Sequence, residues 1–316
     1  MQGVILAAGK GSRLHPITID RSKAMLPILG KPIVERVMED MAANGVNDFI
    51  LVVSPDDRTI TRYFRRVSQL DADVRFVYQP ERNGMADALH WAAPLITGDF
   101  ILSACDNLVS AEHVGRMLAR WEMEPKPNAV LTLMKVEPDR FGSVGIVEKQ
   151  GLWISRIIEK PGPEEAPSDI SSLPLYCFSP RLLSYLHQVP LSPRCEYELQ
   201  DAIQMLIERD GRVCGVTTSR RLTLTSPADL LEINQHFLMR GDTHPQVAPY
   251  TVGPGTHLIT PLHVEAGTVI GANCTIGPNV YIERDCRIGN DVSIRNAVVL
   301  SESIITDNTT IENQVV

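Results

Sequence analysis

The chain has 316 residues, 44% of them apolar, enough for two domains with complete hydrophobic cores. Its net charge of −8 argues against nucleic acid or an anionic membrane as partner, no apolar run nears the length of a membrane span, and the first residues carry no secretion signal. Six cysteines (Cys105, Cys177, Cys195, Cys214, Cys274, Cys286) form no CxxC pair and read as reduced thiols of a cytoplasmic protein, neither a disulfide frame nor a zinc site.

The first predicted element is a strand over residues 4–8, a short apolar run suited to the inside of a parallel sheet. It empties into Gly9-Lys10-Gly11-Ser12-Arg13. The glycines free the backbone to turn its amides toward phosphate oxygens, and Lys10 and Arg13 add positive charge at the same place. A Walker loop is excluded, because Gly9-Lys10 is followed by Gly11 rather than Ser or Thr. A dinucleotide fingerprint is excluded, because Leu14 stands where its third glycine belongs. The competing reading is a strand–loop turn that happens to be basic.

Ile33, Val34, Val37, Met38 and Met41 follow a helical period over 32–43. A strand over 49–53, a basic helix over 58–67 with Ile60 and Phe64 inward, and a strand over 74–78 come next. Then follow a helix over 85–96, a strand over 100–104, a helix over 111–123 and a strand over 129–136. Alternation of this kind predicts an α/β fold, a doubly wound and mainly parallel sheet. Ligands of such sheets lie at the carboxyl ends of the strands. The loops at Gly9, Gln79 and Asp106 are all expected there. Gln79 can both donate to and accept from a base edge, and Gly84 permits close approach; the plainer reading of 79–88 is a surface loop. Asp106 at a strand end is a sensible Mg²⁺ ligand, since that ion takes few protein oxygens and shares phosphates; the plainer reading is a turn-forming Asp-Asn pair. Cys105 has no activating partner and is not read as a nucleophile.

Residues 137–224 carry Gly142 and Gly145 in FGSVGIVE, then Glu159-Lys160-Pro161. A carboxylate accepts from paired hydroxyls and a lysine is a point charge for phosphate, although a lone Glu-Lys pair is more often a solvated face. Ser226, Pro227 and Asp229 mark a helix start. Aliphatic residues then recur every six, at Val252, Leu258, Val264, Ile270, Ile276, Ile282, Ile288, Ile294 and Leu300. Small or apolar residues fill the slot four later, including Cys274, Val280, Cys286, Val292 and Val298. Hexapeptide periodicity predicts a parallel β-helix, with both of these cysteines as stacked core residues. Ile305 and Ile311 fit a frame one residue short, so a loop, bulge or altered coil is expected after Leu300. The predicted domains are 1–240 and 250–316, with 241–249 as linker.

Residues 6–32, LAAGKGSRLHPITIDRSKAMLPILGKP, resemble the signature of the sugar-1-phosphate nucleotidylyltransferases, LAAGxGTRLxP followed by PKxMLPxxGKP. Ser12 replaces Thr, Ser22 the proline before the lysine, and Ala24 a frequent proline after it. The resemblance implies a triphosphate held by Leu6, Ala8, Gly9, Gly11 and Ser12, and catalytic roles for Arg13 at the reacting phosphates and Lys23 at the phosphate region. It implies that Gln79 and Gly84 contact a pyrimidine, favouring dTTP or UTP, while Met85 departs from the usual Leu or Thr and leaves the base open. Asp106 matches the family's metal aspartate, with Cys105 in place of glycine. Glu159 would bind sugar hydroxyls, Lys160 the sugar phosphate and Gly145 the sugar, with Gly142 the competing register. Residues 196–202, EYELQDA, match a further motif, with Cys195 for its glycine.

One departure stands out. Where the family pattern places the second metal-binding aspartate, before TSPADL, this chain has Thr223, a neutral hydroxyl. Asp229 is read as a helix-terminal charge.

The implied fold is a Rossmann-like nucleotidyltransferase followed by a short left-handed hexapeptide β-helix. The implied reaction joins a nucleoside triphosphate and a hexose 1-phosphate, glucose 1-phosphate first, with Mg²⁺, giving a nucleotide sugar and pyrophosphate. A homo-oligomer is expected, because β-helix edges and faces often pair between subunits. Two rivals stand beside this reading. One is a binding or regulatory subunit, suggested by Thr223, Cys105, Ser22 and Ala24. The other is an acyltransferase using the β-helix, for which His257 and His263, read as surface or turn residues, are the candidate bases.

Overall fold

The computed structural model describes residues 1–241 and 249–316; residues 242–248 of the expected linker lie outside the described residues. The chain divides into two compact units that do not follow chain order. The first holds Met1–Lys10, Ser22–Ala24 and Val34–Arg221; the second holds Gly11–Arg21, Met25–Ile33 and Leu222–Val316.

The first unit is built on a nine-stranded sheet. Its strands are β1 (Gln2–Leu6), β2 (Asp48–Val53), β3 (Asp73–Tyr78), β4 (Phe100–Ala104), β5 (Ala129–Lys135), β6 (Gly145–Gln150), β7 (Trp153–Glu159), β8 (Ile170–Phe178) and β9 (Val213–Thr217). One half runs β3-β2-β1-β4, all parallel. Every residue of β1 is buried, as an apolar run sandwiched between helical layers must be. The other half is mixed: β8 runs antiparallel to β4, β5 and β6, β7 folds back on β6 as a hairpin, and β9 pairs parallel with β5. On one side β8 serves two neighbours, β4 along Leu175–Phe178 and β6 along Ser171–Ser172, and on the other its register with β5 slips between Leu173 and Tyr176. Phe100 and Phe178 pack there with ring centroids 5.6 Å apart, both fully buried. Burying side chains of this size contributes about 1.5–3 kcal/mol each.

The predicted helices form at α1 (Ile33–Ala42), α2 (Arg58–Arg66), α3 (Met85–Ala92) and α4 (Ala111–Glu122). Asp57 caps α2 by accepting from the amides of Thr59 and Ile60, and Ser110 caps α4 by accepting from that of His113. α3 stops short of the expected 96. Pro94, which has no amide to donate, falls in a 3-10 turn over Ala93–Leu95. A fifth helix, α5 (Leu199–Arg209), buries Leu199, Ala202, Ile203 and Leu206 in the same core as Phe100 and Phe178.

The second unit joins a helix, α6 (Pro227–Arg240), to a parallel β-helix. Ser226 and Asp229 form a capping box on α6, and Gly241 closes it in the left-handed conformation. Coils pair three hexads apart: Thr251 with Val269, Val269 with Arg287, His257 with Thr275, Thr275 with Ser293. Corners carry Asn273, Asn279, Asp285 and Asp291, all at positive φ, a conformation that Asn and Asp tolerate. The next such corner, Asn296, comes one residue early. Val280 accordingly pairs with Ala297, and Ile294 with Ile311.

The one-residue slip therefore falls at Arg295-Asn296, not after Leu300. It corrects the expected core. Ala297 and Val299 join Ile276, Ile282, Ile288, Cys274 and Cys286 inside the coils. Val298 instead stacks outside with Tyr281 and Val315, against Leu238 and Phe237 of α6, and Leu300 packs at the same outer cluster. Val252 and Leu258, in the first coil, are exposed. His263 is not a turn residue: it lies buried in the strand Leu262–Val264, its ring 5.7 Å from that of Tyr281. His257 is exposed in the strand His257–Leu258.

Candidate active site

In the first unit, the parallel strands β3, β2, β1 and β4 end at one edge of the sheet, and the ladder runs past the ends of β3, β1 and β4. Ala7 N donates to Val52 O at 2.8 Å, Gln79 N to Val53 O at 2.9 Å, and Cys105 N to Leu6 O at 3.1 Å. Leu6 and Ala8 are buried, while Gly9 and Lys10 are exposed. Gly9 needs no positive φ, and a Cβ there would meet nothing within 4 Å, so its value is open space above the strand end rather than backbone freedom. Arg82, which the sequence did not single out, donates from Nε to Ala8 O at 2.7 Å and from Nη2 to Ser54 Oγ at 3.0 Å. It thereby fixes the carbonyl just before Gly9.

Lys23 and Asp106 form a hydrogen-bonded ion pair with both side chains mostly shielded from solvent. Arg221 is a second cation of this neighbourhood. Burial pulls its guanidinium down from the usual range, and the negative charge of Asp106 opposes that pull. Asn107, next in the chain, is 1% exposed, and neither atom of its amide has a hydrogen-bond partner. A buried amide left in this state costs stability. Burial, then the charge of Asp106, pushes the Cys105 thiol up to about 12, which removes it as a nucleophile.

Gln79 is 3% exposed, and its amide nitrogen donates to Gly84 O at 3.2 Å and Asp87 Oδ2 at 2.7 Å. Both donors being committed, only the carbonyl oxygen of Gln79 is left to read a ligand. Gly84 has φ +104, and a Cβ on it would lie 2.5 Å from Tyr197 O. Its glycine is demanded by the chain itself. Ala86 N donates to Tyr197 O at 3.0 Å and Tyr197 N to Asn83 O at 2.6 Å, which stitches the start of α3 to the 196–202 motif.

The residues expected to face a sugar also meet within this unit. Glu159 pairs with Gly145 across the β6–β7 hairpin, and Gly145 pairs with Ser172 of β8. A Cβ on Gly145 would come within 3.1 Å of Glu159 Oε2 and 3.2 Å of Gln200 Cγ. Lys160 Nζ lies 3.3 Å from Glu159 Oε1, on a backbone turned to positive φ. Glu159 Oε2 is buried with no hydrogen-bond partner. Burial raises the Glu159 carboxyl above its ordinary range, and Lys160 offsets only part of this. Gly142, the competing register, is exposed with open space around it.

Gly11, Ser12 and Arg13 belong to the second unit. Gly11 sits at φ 65, the left-handed region that its lack of a side chain permits. A 3-10 turn follows over Ser12–Leu14, with Ser12 and Arg13 exposed and Leu14 buried. Thr18 Oγ1 closes the loop by donating to Gly11 O at 2.8 Å. Asp229 is committed to the start of α6, accepting from Thr225 N at 2.7 Å and Ser226 N at 2.8 Å. Burial would raise its carboxyl, but the hydrogen bond from the Thr225 hydroxyl and then these backbone bonds bring it below the usual range.

Among the described residues, no group of three or more His, Cys, Asp or Glu is poised to hold a metal ion. A divalent ion carried by substrate phosphates needs only one or two protein carboxylates, so Asp106 fits a shared ion and not a protein cage. No helix among the described residues is long and apolar enough to cross a membrane.

Comparison with known proteins bears on this geometry. A UTP–glucose-1-phosphate uridylyltransferase, AglF of Haloferax volcanii, is 32% identical over 240 residues, covering 75% of this chain and 96% of the relative. The bifunctional protein GlmU of Methanococcus maripaludis is 32% identical over 239 residues, but the match spans only 54% of that protein. A solved UDP-glucose pyrophosphorylase complexed with UDP-glucose shares the fold, with TM-score 0.69 and 20% identity over 76% of this chain and 98% of that one. Residues 258–316 match the GMPPB C-terminal domain. Since residues 2–236, with all the strand ends described above, match the nucleotidyl transferase family, the chain belongs to that family.

Proposed function

We propose that the chain transfers a nucleotidyl group from a nucleoside triphosphate, dTTP or UTP, to a hexose 1-phosphate, glucose 1-phosphate first, releasing pyrophosphate. The observation that carries this reading is the buried, unbonded Oε2 of Glu159 beside Gly145, an acceptor waiting for a hydroxyl where a side chain would collide. The uridylyltransferase relative supports the substrate pair. The engaged amide nitrogen of Gln79 supports a base with a ring N–H to give to its remaining oxygen, as uracil and thymine have and adenine and cytosine lack.

In the reaction, an oxygen of the sugar phosphate attacks the α-phosphorus and the bond to the β-phosphate breaks. Positioning and charge neutralisation supply the catalysis, with no protein nucleophile. Leu6, Ala8, Gly9, Gly11 and Ser12 would cradle the triphosphate, and Arg13 would brace the leaving pyrophosphate. Lys23 would pass from Asp106 to the phosphates, Gly84 would adjoin the base, and Lys160 would hold the incoming sugar phosphate. Mg²⁺ would be held by Asp106 together with phosphate oxygens and would neutralise their charge. Residues 1–240 are proposed as the transferase part and 250–316 as a left-handed β-helix, in a cytoplasmic homo-oligomer.

Pyrophosphate release from a panel of triphosphates and hexose phosphates tests the reading. UTP or dTTP with glucose 1-phosphate should be the best pair, and Arg13→Ala should abolish turnover while leaving the fold intact. Parent-rate release by that variant would remove Arg13 from the mechanism. Thr223, with no carboxylate, favours a second reading, a subunit that binds the nucleotide sugar and turns over weakly. Tight binding without pyrophosphate release would select it.

A further inference from the structure

The loop that carries Ser12 and Arg13 is tied to the β-helix. At its far end Arg21 Nη1 donates to both oxygens of Glu283, at 2.9 Å each, and Arg21 Nη2 donates to Ser301 Oγ at 2.6 Å. Glu283 is 6% exposed. Its carboxylate also accepts from Ser301 N at 2.8 Å, and its own amide donates to Val299 O at 2.8 Å. The carboxylate thus bridges two successive coils and is held rigid before Arg21 reaches it. At the near end Thr18 bonds back to Gly11, and Leu14 is buried between the two ties. The neighbouring segment is tied in the same way. Gly30 N donates to Tyr281 Oη at 3.1 Å, Leu29 N donates to Asn234 Oδ1 at 3.0 Å, and Asn234 Nδ2 donates to Pro27 O at 3.2 Å.

A β-helix coil needs neither Arg21 nor the Gly30 contact for its own ladder. Its hydrogen bonds run coil to coil, and its core is already filled. Nor would a mere surface ion pair be built so: exposed pairs such as Arg295–Glu312 lie on the same module and contribute little. A shielded, bidentate arginine–carboxylate contact fixes direction as well as distance. We propose that Glu283, with Ser301, is a positioning residue for the nucleotide step: through Arg21 the β-helix holds the Gly11–Arg21 loop in the shape that presents Ser12 and Arg13 to the triphosphate. The idea rests on the proposed transferase reading. It gives the β-helix a part in catalysis without any contact of its own with substrate.

The test compares Glu283→Gln with Arg295→Gln in the full-length chain. Glu283→Gln keeps shape and an acceptor but loses the charge. It should raise KM for the triphosphate or lower kcat by about tenfold in all, the scale of one lost charge-assisted hydrogen bond, and leave KM for the sugar phosphate within about twofold. Amides of residues 11–21 should exchange hydrogen faster, while those of the β-helix ladder keep their protection. Glu283→Asp should recover part of the loss, and Arg295→Gln should do nothing. Unchanged exchange over 11–21 in Glu283→Gln overturns the tie, whatever the activity. So does unchanged turnover, or a loss shared equally by both substrates together with a lowered unfolding midpoint. If the parent chain releases no pyrophosphate with any substrate pair, the transferase reading has failed, and exchange over 11–21 alone decides the tie.

Discussion

Asp106, buried, and Glu159, largely shielded, are carboxylates of the first unit, each beside a lysine, yet they are left in opposite states. Asp106 is bonded by Lys23 and lies near the Arg221 guanidinium. Glu159 meets Lys160 through one oxygen and leaves the other unbonded, with burial holding its carboxyl above the ordinary range. The contrast agrees with the roles proposed for the two. A carboxylate that is to share a cation with phosphates does best when already compensated, since an uncompensated charge there is costly. A carboxylate that is to accept from neutral hydroxyls must keep an oxygen open, and the fold bears that cost until a ligand arrives.

The largest expected break of this contrast is Asp106→Asn. Turnover should fall by about a hundredfold or more, the scale seen when one preorganised charge partner is removed, and added metal should not restore it. Steady-state kinetics over a metal titration checks this, and near-parent turnover would count against Asp106. Glu159→Gln should act on the other substrate. KM for the sugar phosphate should rise by about tenfold, with KM for the triphosphate unchanged.

The same variant sharpens the comparison through stability. The folded-state pKa of Glu159 is raised, so its charged form costs the fold at neutral pH, and that cost fades as pH falls through the raised pKa. Glu159→Gln should therefore melt higher than the parent at pH 7, with the gap closing in acid. A lower melting point at pH 7 would refute this. Asn107→Ala is expected to leave the melting point unchanged or a degree or two higher, because the buried amide bonds nothing in the protein, while turnover drops. A clear fall in melting point with turnover intact would recast Asn107 as structural.

His113 supplies the smallest effect, away from either carboxylate. Burial and then the charge of Arg116 lower it to about 4, and its ring nitrogens meet Thr132 Oγ1 and Arg116, both at 3.0 Å. The unfolded chain takes up a proton near the ordinary histidine value while the folded chain does not. Stability should decline as pH falls from about 6.5 toward 4, and His113→Gln should flatten that part of the curve measured by denaturant unfolding.

The sequence revealed elements wherever one period dominated. The β1 run, α1 and the hexads were legible because core-facing residues recur at a fixed spacing, and Asp106, Gln79 and Glu159 because they follow strands or sit in long motifs. What stayed hidden depended on contacts far apart in the chain. Arg82 acts on Ala8 and Arg221 lies near Asp106, and neither position bears a local mark. The slip of β8 against β5, and its sharing between β4 and β6 on the other side, have no repeat to betray them. The early β-helix corner was misplaced because Val298 and Leu300 are as apolar as the core residues. Only pairing distinguishes the outer stack from the inner one.

Gly84 carries a consequence for anyone wishing to redirect this protein to another nucleotide. Its missing side chain is filled by the backbone of Tyr197, so the 79–88 loop and the 196–202 motif were shaped against each other. A graft of either stretch from a donor with different base preference would arrive without its mould. Exchanging both together is the transplant the chain should accept.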